Sequence, residues 1–396
     1  MKVTIRPGDS LQYYSELFDI PFALIDQSNS EINGQPLTAG RNIHIPGYTL
    51  HYQSTAPNDT LKKIAKEKRL SVDMLQSVNP SIIADHLPIN DTIAIPERVN
   101  ERILTDFHHY TFDTMINDIQ KLTTIYPFIT QQVIGHSVMG KDIIEIQVGN
   151  GNKQVHLNGS FHANEWITTP VIMRFINEYA RALTNNLPLR SLSTLPLLTD
   201  TNLSVVPMVN PDGVDLVLNG ASAAGNRRRN VLSLNNHDTD FSNWKANIAG
   251  VDLNNQYPAR RETETARKPD SPQPRDYPGP YPLSEPESMA MATLANTREF
   301  SRVSAFHTQG DVIYWGYEGI EPSSAQTIVD EYGRVSGYTP VRYVDNYAGF
   351  KDWFIKNYQR PGFTVELGSG VNPLPFTQFD EIYQASLGIM LANLYM

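Results

Sequence analysis

Short apolar runs bounded by polar or turn-forming residues recur along the chain at 155–158, 203–209, 303–306 and 363–365, a pattern that predicts buried strands. Longer segments at 170–183 and 285–300 read as helices between them. A further helix is expected to start near Tyr110, capped by a Thr or Asp side chain. This alternation predicts an α/β sandwich with a mixed central sheet, with ligands bound at the carboxyl ends of its strands.

The first hundred residues follow another pattern, one that occurs twice. Arg6-Pro-Gly-Asp-Ser-Leu11 corresponds to Ala56-Pro-Asn-Asp-Thr-Leu61, Ile25-Asp-Gln-Ser-Asn29 to Leu75-Gln-Ser-Val-Asn79, and Ile43-His-Ile-Pro46 to Ile93-Ala-Ile-Pro96. Each copy reads as strand, helix, helix, strand. Asp9-Ser10 and Asp59-Thr60 supply short polar side chains that can cap the first helix of each copy. Two small units, 1–48 and 49–99, are therefore expected ahead of a larger domain at 103–396, with the polar connector 96–102 before it.

At 396 residues, 40% of them hydrophobic, the chain is long enough for two or three domains with at least one large core. A formal net charge of −10 argues against a nucleic-acid partner. The one compact basic triplet, Arg227-Arg-Arg229, is either a solvated loop or a cradle for an anionic substrate. The absence of cysteine excludes disulfides, thiol nucleophiles and thiolate metal sites. The start of the chain carries no apolar signal region and no apolar stretch reaches membrane-spanning length, so a soluble chain without a Sec-type leader is expected.

Candidate chemistry lies in Gly159-Ser-Phe-His-Ala-Asn-Glu-Trp166, where His162 and Glu165 follow an apolar strand three residues apart. Catalytic zinc takes three protein ligands of this kind and keeps a fourth position open. His307, a single imidazole ending the apolar run 303–306, can supply the third ligand, and Glu366 ends the run 363–365 in the same way as a candidate general base. Asn210-Pro-Asp-Gly213 reads as a turn fixing a backbone reversal after the strand 203–209.

These motifs, with Gly250-Val-Asp-Leu-Asn254 and the weaker segments 134–141 and 285–287, resemble the zinc carboxypeptidase family from about Tyr110 to the C-terminus. The resemblance implies one zinc held by His162, Glu165 and His307, with Glu366 activating the bound water. It also implies departures. Lys245 stands beside Trp244 where the family has the arginine that polarises the scissile carbonyl, keeping the charge without the planar fork. Asn254-Asn255 replaces the Asn-Arg whose guanidinium clamps a terminal carboxylate, which argues against an ordinary carboxypeptidase. Arg260 or Arg261 could bind a substrate carboxylate instead. The tyrosine that closes over substrate in the family corresponds to Tyr343 or Tyr347, with the local context favouring Tyr347.

The paired N-terminal units resemble LysM modules, which bind N-acetylglucosamine-containing glycans. The groove would then be lined near 7–10 and Ile32-Asn33 in the first copy, and near 57–60 and Ile82-Ile83 in the second. In combination, the whole chain resembles the γ-D-glutamyl-L-diamino acid endopeptidases of spore-forming bacteria. The resemblance implies peptidoglycan or muropeptides as partner, meso-diaminopimelate as the diamino acid, and a place in the bacterial cytoplasm, sporangium or spore. A carboxypeptidase of ordinary peptides and a non-catalytic wall-binding protein are the competing readings.

Overall fold

The computed structural model describes residues 1–32, 37–82 and 87–396, which form two compact units. Asn33 and Ile83, expected in the glycan grooves, lie outside the described residues.

The first unit comprises 1–105 together with 119–130 and 177–199. In it, strands β1 (Lys2–Thr4) and β2 (Asn42–His44) pair antiparallel, as do β3 (Tyr48–Ser54) and β4 (Thr92–Arg98). Helices Leu11–Phe18 and Phe22–Gln27 lie between the first pair, and Leu61–Lys68 and Val72–Ser77 between the second. The repeat extends to single hydrogen bonds. Asn29 Nδ2 donates to the carbonyls of Ile25 (2.7 Å) and His44 (2.9 Å), while the His44 N–H donates back to Asn29 Oδ1. Asn79 repeats this fifty positions on, donating to Leu75 (2.8 Å) and Ala94 (2.7 Å) and accepting from the Ala94 N–H. Ser10 and Thr60 cap the first helices through the N–H groups of Tyr13 and Lys63. A clasp joins the copies: Asp73 accepts from Tyr13 Oη at 2.9 Å and pairs with Arg6 at 3.4 Å.

The second unit is built on an eight-stranded sheet. Its remaining strands are β5 (Ile129–His136), β6 (Asp142–Val148), β7 (Lys153–Gly159), β8 (Thr201–Val206), β9 (Arg302–His307), β10 (Val312–Tyr314), β11 (Thr339–Val341) and β12 (Gly362–Glu366). They lie in the order β11-β10-β12-β9-β7-β8-β6-β5. The run β12, β9, β7, β8 is parallel, whereas β10 and β6 join it antiparallel, so the sheet is mixed. Every residue of β9 is buried, as a central strand covered on both faces requires, and this explains why apolar side chains in 303–306 point to both faces of the strand rather than alternating with charged ones.

Two local expectations differ from the structure. The strand predicted to reach Val209 ends at Val206, because Pro207 has no N–H for the ladder. Asn210-Pro-Asp-Gly213 is not a turn but the start of helix Pro211–Asn219: Asn210 caps it by accepting from the Gly213 N–H, and proline occupies the first helical position.

Candidate metal centre

Three parallel strands end side by side at the site. Within the sheet Glu366, last in β12, is the register partner of His307, last in β9, and Phe306 is the partner of Gly159, last in β7. After β7 the chain turns sharply through Ser160, which adopts a left-handed φ of 50°, and its N–H is held by Thr168 Oγ1 at 2.8 Å. A short 3₁₀ turn, Ala163–Glu165, then brings Glu165 back beside His162. A side chain at Gly159 would approach Ile172, Thr168 and the Pro207 carbonyl to 3.0 Å, so this corner is tight enough to favour glycine.

The donor atoms converge. His162 Nδ1 lies 2.8 Å from Glu165 Oε1, His307 Nδ1 lies 2.9 Å from Glu165 Oε2, and the two Nδ1 atoms are 3.2 Å apart. Two imidazole nitrogens and a carboxylate facing one point at these separations match the edges of a tetrahedral zinc shell, about 3.3 Å for bonds of 2.0–2.1 Å. His162, Glu165 and His307 form the one such cluster among the described residues, and all three are buried. The set fits zinc.

Charge around the cluster is arranged in layers. Asp252 Oδ1 lies 3.3 Å from His162 Nε2, and Asp252 Oδ2 lies 2.8 Å from Lys245 Nζ, which also reaches Asp276 at 3.0 Å. Burial works against the Lys245 ammonium, but Asp252 and then Asp276 raise it above its ordinary value. Burial opposes ionisation of Asp252 as well, yet Lys245 and His162 hold it well below the usual carboxylate range. For Glu366, burial and then the Glu165 carboxylate push the carboxyl up to about 8, the direction suited to a proton acceptor and donor near neutrality.

A cavity at the centre is lined by His162, Glu165, Lys245, Asn254 and Glu366. The structure thus brings together most of the residues singled out in the sequence. Asn255 is buried, 2% exposed, and its Oδ1 has no hydrogen-bond partner among the described residues, so it presents no charge where the family has arginine. Asn254 Oδ1 accepts from the Phe350 N–H. Arg260 and Tyr347 do not line this cavity but a neighbouring pocket. The Tyr347 ring lies under the Arg260 and Arg267 guanidinium groups at 4.4 and 5.7 Å, and its backbone N–H is held by Glu264. Tyr343 lines the same neighbouring pocket. Arg261 is spent on the carbonyls of Pro278 and Gly279, and Arg227–Arg229 sit at the start of helix Arg228–Leu234, away from the cavity lining.

The cavity lining also holds residues that the sequence did not mark, among them Tyr314, Lys351, Asp352 and Arg275. Tyr314 is the tyrosine of this cavity, opposite Thr364 in the β10–β12 ladder. Lys351 and Asp352 form a buried ion pair in its wall, and Arg275 lines it from the proline-rich loop 271–275. No apolar periodicity or turn signal in the sequence marks Lys351, Asp352 or Arg275.

Residues 115–387 match the zinc carboxypeptidase family, and residues 56–96 match the LysM domain. The LysM match thus covers the second N-terminal copy. The chain is 52% identical, over all of both chains, to γ-D-glutamyl-L-diamino acid endopeptidase 1 of Lysinibacillus sphaericus. Among solved structures, bovine thrombin-activatable fibrinolysis inhibitor aligns with a TM-score of 0.55 at 18% identity, covering 72% of this chain and 95% of that one. The carboxypeptidase A of Helicoverpa armigera aligns with a TM-score of 0.52 at 17% identity, covering 88% and 98%. These two likenesses concern the fold. Among the described residues no helix is long and apolar enough to cross a membrane.

Proposed function

The chain belongs to the zinc carboxypeptidase family, and we propose that it hydrolyses the bond between γ-D-glutamate and the diamino acid, meso-diaminopimelate, in peptidoglycan stem peptides. The observation that carries this reading is the end-to-end identity with the Lysinibacillus enzyme, which takes in the N-terminal copies and the metal centre together. Buried, uncharged Asn255 agrees with it, because a substrate cut inside its chain needs no clamp on a terminal carboxylate.

His162, Glu165 and His307 would hold the zinc, which would supply Lewis-acid chemistry and make a nearby water more acidic. Glu366, at the end of the neighbouring strand, takes a proton from the attacking water at its carboxylate and passes it to the leaving amine. Lys245 supplies fixed positive charge to the oxygen that becomes negative, and its ties to Asp252 and Asp276 set its position. The units at 1–48 and 49–99 act as LysM modules that hold the glycan to which the stem peptide is attached, so that two weak sites add through avidity. Cell-wall material, as muropeptides or intact peptidoglycan, is then the partner, and the larger domain at 103–396 performs the cut.

The test is product analysis by mass spectrometry on a defined muropeptide and on an N-blocked protein peptide, each with and without a chelator. Chelator-sensitive release of the diamino acid side of the muropeptide is expected. Trimming of the protein peptide alone from its C-terminus would overturn the reading.

A further inference from the structure

Three cationic side chains line the cavity outside the metal ligands: Lys245, Lys351 and Arg275. Two of them are already engaged by carboxylates of the protein itself. Lys245 lies between Asp252 and Asp276, and Lys351, with a side chain 3% exposed, is paired with Asp352 and donates to the Gly316 carbonyl at 2.9 Å. Arg275 differs. Its Nη1 donates to the Asn243 carbonyl at 3.1 Å, a neutral acceptor, and no carboxylate among the described residues pairs with it. The neighbouring Asp276 is already engaged by Lys245. One end of the guanidinium is thereby steadied, in an exposed residue that lines the cavity and whose fork carries five donors in all.

We infer that Arg275 is the carboxylate anchor of this site and takes the α-carboxylate of the γ-linked glutamate next to the scissile bond, an inference that rests on the substrate reading above. The chemistry is specific to that linkage. When glutamate is joined through its side-chain carboxyl, its α-carboxylate remains free, three carbons from the carbonyl under attack. In an α-linked peptide the backbone at that position carries no charge. A planar, always-charged guanidinium forms paired hydrogen bonds with such a carboxylate. Asn255 offers no charge for the purpose, and Arg260 and Arg261 are committed elsewhere. A free C-terminal carboxylate presents the same chemistry from the other side of the bond, and the experiment separates the two sources.

Zinc-loaded full-length wild type, Arg275→Gln and Arg275→Lys are compared on three peptides. The first is L-alanyl-γ-D-glutamyl-meso-diaminopimelate, the second is its analogue with the glutamate α-carboxylate amidated, and the third is an N-blocked α-linked peptide with a free C-terminus. Arg275→Gln should lower kcat/KM on the first by about 10- to 100-fold, mainly through KM, as the loss of a charge-assisted hydrogen bond requires. The same variant should leave the amidated analogue nearly unchanged, and wild type should discriminate against that analogue by a similar factor. Arg275→Lys should recover part of the loss. Equal effects of Arg275→Gln on the first two peptides, or no effect on either, would overturn the anchor. A loss confined to the α-linked peptide would reassign Arg275 to a terminal carboxylate and likewise overturn it. Should wild type cleave neither γ-linked peptide, the proposed reaction itself fails. Activity on them with an indifferent Arg275→Gln removes the anchor alone.

Discussion

Asp252 stands behind His162: its Oδ1 is 3.3 Å from the ring Nε2, while Nδ1 on the opposite edge faces Glu165 and His307. A carboxylate on the outer nitrogen keeps the proton there and leaves Nδ1 with its lone pair directed at the metal. Asp252→Asn should therefore weaken zinc binding about 10- to 100-fold. Competition between the protein and a zinc chelator of known affinity measures this directly. An unchanged zinc affinity would remove Asp252 from the support of the centre.

Glu366 and His307 are register partners, yet the Glu366 carboxylate is outside the ligand cluster. The two roles should separate on substitution. Glu366→Gln is expected to lower kcat by about 10²- to 10⁴-fold, the range for losing a general base, while metal analysis still finds one zinc per chain. Full turnover in that variant would sink the assignment of the base. Loss of zinc would show that Glu366 belongs to the ligand set instead.

The ends of strands were the most legible part of this sequence. His307 and Glu366 each interrupt an apolar run with one polar residue, and a buried parallel strand can announce its end in that way. Asp252 was visible inside Gly250-Val-Asp-Leu-Asn254 but had no assigned partner, since its value depends on Lys245 and His162 meeting it in space. The choice between Tyr343 and Tyr347 weighs spacing against local context, and neither signal marks Tyr314, which lines the cavity from β10 beside its partner strand β12. Sheet order is a long-range outcome that no local window contains. Asn210-Pro-Asp-Gly213 was misread for a different reason: a helix cap and a turn use the same residues, and only the chain that follows decides between them.

Asn79 makes three hydrogen bonds to backbone groups of its own module, and its side chain is buried. Asn79→Ala would strand the Ala94 N–H and two carbonyls, at a cost of about 1–3 kcal/mol for each buried group left without a partner. The variant should open this module at a lower urea concentration than wild type, followed by hydrogen exchange in 56–96. Zinc content and cleavage of a soluble stem peptide should be unaffected. Unaltered exchange in the module would refute the role given to this side chain.

Glu287 links pH to the loop that carries Lys245 and Asp252. Its carboxylate accepts from the Val138 N–H at 3.0 Å and from Asn247 Nδ2 at 3.3 Å, and Asn247 in turn holds the N–H groups of Ala249 and Val251. Burial, and then the nearby carboxylates of Glu285 and Asp212, push the Glu287 carboxyl up to about 7 despite the Val138 bond. The folded chain therefore binds this proton more tightly than the unfolded chain, whose carboxyl titrates near 4.5. Stability from this group is greatest below pH 4.5, falls as pH rises to about 7 and is level above, because the unfolded state binds fewer protons throughout that window. The total is at most about 3 kcal/mol, from 1.36 kcal/mol for each pKa unit. Glu287→Gln keeps the acceptor for Val138 and cannot ionise, so between pH 5 and pH 8 it should lose less stability in urea than wild type does. Parallel pH dependence of the two proteins would show that the Glu287 carboxyl is already ionised at pH 5, and that its neighbours compensate for burial.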